Sequence, residues 1–122
     1  QLLPLEVRLP ARPAEDPRLY VEPHQVWEAL HGASPPLIVD VRERREYGQG
    51  HIPDALCVPL PGLLAGAEPI PRGRPIVFVC RSGRRAARAV GHFRQLGYAE
   101  VSALRGGMLA WEAAHLLEAV DV

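Results

Sequence analysis

Lysine, asparagine and threonine are absent from this sequence of 122 residues, so all fourteen of its basic side chains are arginines. Fourteen acids balance them, and a net charge of zero argues against a nucleic-acid or anionic-membrane partner. Long hydrophobic runs are missing too. Proline, glycine or a charge interrupts every apolar stretch before it reaches the ~18 residues that span a bilayer. Cysteine is scarce: Cys57 and Cys80 are the only two, too few for a disulfide framework. They read as thiols in a reducing compartment, and the cytoplasm is the expected location. His24, His31, His92 and His115 show no ligand spacing, so no metal site is expected.

What is present is the composition of one globular domain, 48% apolar and 23% charged, which at this size buries roughly two-thirds of its unfolded surface. The 13 prolines and the arginine bias fit a GC-rich coding sequence, and proline-stiffened loops without asparagine also suit a heat-adapted protein. Residues 1–18 hold Pro4, Pro10, Pro13 and Pro17 and read as an N-terminal arm, with alternating Leu3, Leu5, Val7 and Leu9 as a potential edge strand. Residues 19–122 read as the folded domain.

Strand-like and helix-like segments alternate from Tyr20 onward. Pro23 opens a helix with Val26, Trp27 and Leu30 on one face. Residues 37–41 form a short buried strand, residues 42–47 a helical turn stopped by Gly48 and Gly50, and residues 56–58 a brief strand closed by Pro59 and Pro61. Residues 62–74 are rich in glycine and proline and read mostly as loop. The apolar strand at 75–79 enters Cys80-Arg81-Ser82-Gly83 and then a helix, where Ala86, Ala89, Val90, Phe93 and Leu96 recur at three and four residues. Gly97 stops it. Val101 begins another strand, and Gly106-Gly107 leads to a last helix with Leu109, Ala113, Leu116, Leu117 and Val120 on its apolar face. Buried strands separated by helices predict an α/β domain around a parallel sheet.

Cys80 stands at a strand-to-helix junction, where function gathers in parallel α/β sheets. The unpaired backbone N–H groups and positive dipole of the following helix favour an anion there. Gly83 permits a sharp turn. Arg81, Arg84, Arg85 and Arg88 crowd the same segment without an acid among them, which favours a thiolate and attracts an anionic substrate. A lone cysteine after a buried strand is also an ordinary core position. The arginines weigh against that reading, because cations at the wrong end of a helix dipole cost stability unless an anion offsets them. Thiol-dependent phosphatases place an arginine six residues after the cysteine; here Arg85 comes at five and Ala86 at six. The tighter cradle suits a sulfur atom better than a phosphoryl group.

Four separated segments resemble the rhodanese-like domain family, from about Tyr20 to Val122. They are Asp40-Val41-Arg42-Glu43 with Glu46-Tyr47, then Gly50-His51-Ile52-Pro53, then Cys80-Arg81-Ser82-Gly83-Arg84-Arg85, and finally Gly106-Gly107-Met108-Leu109-Ala110-Trp111. The resemblance implies a five-stranded parallel sheet with helices on both faces. It implies a sulfurtransferase in which Cys80 takes the outer sulfur of thiosulfate as a persulfide and passes it to a thiol or cyanide, without a cofactor. It further implies that the backbone of residues 81–85, Ser82 and Gly83 included, holds the persulfide. In the same scheme Arg81 and Arg84 belong to the donor site, and Arg85 closes the loop.

Asp40, Arg42 and His51 are expected to act as supporting residues: the first two as an ion pair beside the loop, His51 in a turn. Arg42 and Glu46 also read as a solvated i, i+4 pair. The turn has Asp54 where the family often has glycine, and Cys57 stands where asparagine is common; Cys57 reads as a buried strand residue or, alternatively, a thiol that resolves the persulfide. Two other functions compete: a persulfide carrier or interaction module serving a sulfur-relay protein, and a cysteine-dependent phosphatase or arsenate reductase.

Overall fold

The computed structural model describes residues 16–120. The potential edge strand at residues 3–9 therefore lies outside the described residues. Five strands, β1 (Tyr20–Val21), β2 (Leu37–Asp40), β3 (Leu56–Cys57), β4 (Ile76–Val79) and β5 (Val101–Leu104), alternate with five helices. The helices are α1 (Pro23–Leu30), α2 (Arg44–Gln49), α3 (Leu60–Leu64), α4 (Arg84–Gln95) and α5 (Gly107–Ala113). The strands form one sheet in the order β1-β5-β4-β2-β3, and every neighbouring pair is parallel. This is the expected α/β fold.

The strand order places a switch point at the centre of the sheet. The chain leaves β2 outward toward β3, crosses back to β4, and leaves β4 in the opposite direction toward β5. Asp40 pairs with Val79, so the two central strands end side by side. Loops diverging from adjacent strand ends open a crevice in parallel sheets. Residues 41–42 and Cys80 occupy those ends.

Alternation along the strands separates two cores. Val39, Ile76, Phe78, Val101 and Ala103 face α3 and α4, where Leu60, Leu63, Ala86, Ala89, Val90 and Phe93 are buried. Ile38, Val77, Val79 and Leu104 face the other way, against Val26 of α1 and Met108 and Trp111 of α5. The rings of Phe78 and Phe93 lie 5.0 Å apart. Trp111 is fully buried, and its indole N–H donates to the Leu117 carbonyl at 3.1 Å, so burial leaves no polar atom unpaired.

Four local expectations are corrected. Leu60–Leu64 is helical although it contains Pro61 and Gly62, because proline in a first turn removes no helical hydrogen bond, and Leu60 and Leu63 anchor the turn in the core. Leu96 is the C-cap of α4 and half exposed, so the apolar face ends at Phe93. The buried face of α5 is Met108 and Trp111, while Leu109, Leu117 and Val120 are exposed. The expected face assumed a helix running to the chain end; instead His115 turns left-handed at φ 57°, and Ala119 folds back to exchange hydrogen bonds with His51. Lastly, Arg42 is buried against Asp40, and Glu46 pairs with Arg85 rather than with Arg42 as a solvated partner.

The residues just before β1 pack on the domain. Asp16 accepts from Arg94 of α4 at 2.8 Å and from the Arg18 backbone at 2.8 Å, and both contacts hold its carboxyl below the usual carboxylate range.

Candidate active site

Cys80 follows Phe78 and Ile76 on the alternating face that meets α4, and only 1% of it is exposed. Its Sγ accepts from the Gly83 N–H at 3.0 Å and from the Ala86 N–H at 3.4 Å. Ala86 lies in the first turn of α4, where backbone donors have no helical acceptor. The turn that aims them is Gly83, whose φ of 107° is a conformation that side chains with a Cβ resist. The chain thus wraps around the sulfur atom. Arg81, Ser82 and Arg84, in the same segment, are exposed.

A second helix holds the loop from behind. Met108 N–H donates to the Cys80 carbonyl at 2.8 Å and Leu109 N–H donates to the Arg81 carbonyl at 3.1 Å. In a trans peptide the N–H points opposite to the C=O of the same unit. With both carbonyls turned toward α5, the N–H groups of Arg81 and Ser82 point away from it. Gly107 makes this approach possible: a Cβ there would sit 2.3 Å from the Cys80 carbonyl oxygen.

Arg85 turns toward α2. Its guanidinium reaches both Glu46 carboxylate oxygens, at 3.1 and 3.3 Å. That bond holds the Glu46 carboxyl below its ordinary range and keeps Arg85 more firmly charged than a free arginine. Glu46 also accepts from the Glu43 backbone N–H at 3.2 Å, capping α2, so the cap and the loop share one carboxylate.

Asp40 and Arg42 form a buried pair. Arg42 Nε donates to Asp40 at 2.9 Å and Nη2 donates to Asp40 at 2.8 Å and to the Gly50 carbonyl at 2.8 Å. Burial opposes the charge on Arg42, but the Asp40 bonds outweigh it and hold the guanidinium protonated. Between the two, Val41 N–H donates to the Val79 carbonyl, so the pair braces the strand end beside Cys80. His51 stacks on Tyr47 with ring centroids 3.7 Å apart, and its Nδ1 meets the Tyr47 carbonyl at 2.8 Å. Its contacts are with Tyr47 and Ala119, not with the Cys80 loop.

The sequence-predicted loop residues therefore come together, Asp40 and Arg42 support the neighbouring strand end, and His51 belongs to a turn. Reasoning from sequence missed Glu46 as the partner of Arg85 and Gly107 as the contact behind Cys80. Two clefts lie elsewhere, one of about 600 Å³ along β1 and β5 and one of about 390 Å³ near Trp27 and Pro36; neither is lined by the Cys80 loop. A thiol on the floor of a close-fitting cradle suits a small donor or a narrow acceptor. Among the described residues, no grouping of histidine, cysteine and acids is placed to hold a metal ion, and no helix is long and apolar enough to cross a membrane.

A family model for the rhodanese-like domain matches residues 22–114. The chain belongs to the rhodanese-like domain family. Among similar proteins, one named sulfurtransferase from Allochromatium vinosum is 44% identical over 75 residues, 62% of this chain and 70% of that protein. A putative sulfur carrier protein of Bacillus subtilis, YrkF, is 34% identical over 74 residues, 61% of this chain but only 40% of that protein. A solved rhodanese-related protein from Thermoplasma volcanium superposes with a TM-score of 0.77, covering 84% of this chain and 99% of that one. At 22% identity that likeness shows the fold alone.

Proposed function

We propose that this rhodanese-like domain is a sulfurtransferase that moves a sulfane sulfur from thiosulfate, or a similar anionic donor, to a thiol or cyanide through a persulfide on Cys80. One observation carries the reading: Sγ is met by two backbone N–H groups inside a loop that surrounds it. The Cys80 thiolate attacks the outer sulfur of thiosulfate, forming the new S–S bond as the donor's S–S bond breaks and sulfite leaves. The persulfide's outer sulfur is then anionic, and fixed N–H donors stabilise such charge without reorganising. Arg81, Ser82 and Arg84 line the side from which the donor arrives, and Arg85 is the residue that ties the loop to α2. Reduced thiols of this kind are maintained in the cytoplasm.

Incubation with thiosulfate followed by intact-mass measurement tests this. The native chain gains the mass of one sulfur atom and releases sulfite, and Cys80→Ser gains nothing. Absence of both products from the native chain overturns the reading.

The naming of a relative as a putative sulfur carrier supports a second reading, in which Cys80 receives sulfur from a protein and free thiosulfate is a poor donor. Loading by a protein persulfide but not by thiosulfate marks that case. Turnover of an aryl phosphate or arsenate would instead support a phosphatase or reductase. Arg85 bound to Glu46, with Ala86 where those phosphatases carry arginine, speaks against it.

A further inference from the structure

Arginine partners are unevenly distributed over the molecule. Arg18 and Arg94 pair with Asp16, Arg42 with Asp40, Arg85 with Glu46 and Arg105 with Glu22. Arg72 donates to the Leu96 carbonyl and lies over the Tyr98 ring, and Arg74 donates to the Pro35 carbonyl. The remaining described arginines are Arg44, Arg45, Arg81, Arg84 and Arg88. All are exposed, and among the described residues none of their side chains makes an ion pair, hydrogen bond or ring contact. Every one of them lies on α2 or on the Cys80 loop and the start of α4.

These residues are gathered at one end of the sheet. The bond between Glu46 and Arg85 ties α2 to α4, and both helices leave the same end of adjacent strands. The acids near them are already engaged: Glu43 caps α2 and Glu46 holds Arg85. Arg44, Arg45 and Arg84 sit against the positive end of their helix dipoles, and Arg84 and Arg88 repel each other one turn apart. The fold gains nothing from this arrangement, so its use lies outside the chain. A small donor anion above Sγ is reached from the loop, by Arg81 and Arg84. Arg88 lies a further helical turn, ~5.4 Å, along α4, and Arg44 and Arg45 stand on another helix. Cations spread that widely match a protein's acidic face.

We propose that Arg44, Arg45 and Arg88, continuous with Arg81 and Arg84, form a docking surface for an acidic protein that accepts the sulfur held by Cys80. This rests on the sulfur-transfer reading. The partner's cysteine thiolate attacks the outer persulfide sulfur; the bond from that sulfur to Cys80 Sγ breaks, and Cys80 leaves as a thiolate. Because Sγ is buried at the loop floor, the partner's cysteine stands on a protruding loop or tail beside its acids. The attraction steers encounter and is screened by salt.

The test uses two synthetic peptides, each with one cysteine, flanked by glutamates in one and by glutamines in the other. Fluorescence anisotropy measures their binding to the full chain, and quenched reactions measure sulfur transfer from the thiosulfate-loaded protein. The expected result is a preference of about tenfold for the glutamate peptide in both readouts at low salt, falling to about twofold or less in about 0.5 M salt. The combined variant Arg44→Gln, Arg45→Gln loses the preference but keeps the native rate with cyanide. A control with Arg18→Gln, Arg72→Gln and Arg74→Gln keeps it. Equal binding of the two peptides to the native chain, or a preference that survives in the first variant, overturns the docking surface. If the native chain transfers no sulfur to cyanide, the sulfur-transfer reading fails, while the anisotropy comparison still decides the surface.

Discussion

Glu46 and Arg85, 39 positions apart in the chain, meet through a two-oxygen contact at 3.1 and 3.3 Å that joins the α2 cap to the start of α4. The pair is partly exposed, 36% for the arginine side chain and 26% for the acid, so solvent screening limits it to about 0.5 kcal/mol. Its larger effect is on position, since it decides where Arg85 points. Glu46→Gln is expected to lower the stability of the chain by about that amount and its thiosulfate turnover about threefold. The pH dependence has a definite sign. The Arg85 bond holds the Glu46 carboxyl below its ordinary value, so the contribution is present above the usual carboxylate range and lost as pH falls through the lower folded value. Urea midpoints of native and variant chains should differ at neutral pH and converge in acid, once Glu46 is protonated in the folded chain.

Gly107 carries a heavier constraint. Its φ of 59° is left-handed, and an added Cβ would meet the Cys80 carbonyl oxygen at 2.3 Å and the Arg81 carbonyl at 2.5 Å. Neither contact can be relieved by a side chain moving aside, because both are backbone atoms. Gly107→Ala must push α5 away from the loop, breaking the bonds that turn the Cys80 and Arg81 carbonyls backward. We expect a loss of more than ~2 kcal/mol in chemical denaturation and little sulfur uptake by intact mass at temperatures where the variant is still folded. Native uptake by a folded variant would show that these carbonyls do not orient the cradle.

Both residues mark where sequence reading stopped. The strands at 37–41, 56–58 and 75–79 were legible because runs of valine, isoleucine and leucine ended at prolines, arginines or Cys80. The Cys80 loop was legible because its chemistry is contiguous. Glu46 was assigned to Arg42 by the i, i+4 spacing, a rule for helix surfaces, yet Arg42 precedes α2 and turns inward to Asp40. The end of the chain failed for a related reason. Leucines at 109, 116 and 117 form a stripe only if the helix continues, and no glycine or proline announced the turn at His115. Gly106-Gly107 was visible as a helix start; what it touches depends on β4 and β5 being neighbours, a long-range fact.

The Asp40–Arg42 pair is nearly sealed from solvent, at 1% and 7% side-chain exposure, and removal of one partner should be costly. Asp40→Asn leaves the buried guanidinium with a weaker acceptor, and the expected loss is about 3 kcal/mol. Replacing both, as Asp40→Leu with Arg42→Met, removes the charge with its partner. That double variant should lose less than the sum of the single losses, because no uncompensated ion remains. Denaturation of the native chain, Asp40→Leu, Arg42→Met and the double variant measures the coupling. An additive result would mean that Arg42 is held mainly by the Gly50 carbonyl.

Cys57 offers the last test, because a second thiol near a persulfide could resolve it as a disulfide. Strand order argues against that use. Cys57 on β3 pairs with Asp40 on β2, and Asp40 pairs with Val79, the residue before Cys80. Two strand spacings separate the thiol-bearing backbones, about 9.5 Å, whereas a disulfide needs Cα atoms within about 7 Å. The strand between them is central and packed on both faces, so closing the gap would require the sheet to break. Cys57→Ala should therefore load one sulfur from thiosulfate and release it to cyanide at the native rate, within about twofold, with a stability loss of about 1 kcal/mol from the buried side chain. Peptide mapping of the thiosulfate-treated native chain should find no bond between Cys57 and Cys80. Such a bond, or a variant that holds its sulfur and cannot release it, would make Cys57 part of the transfer.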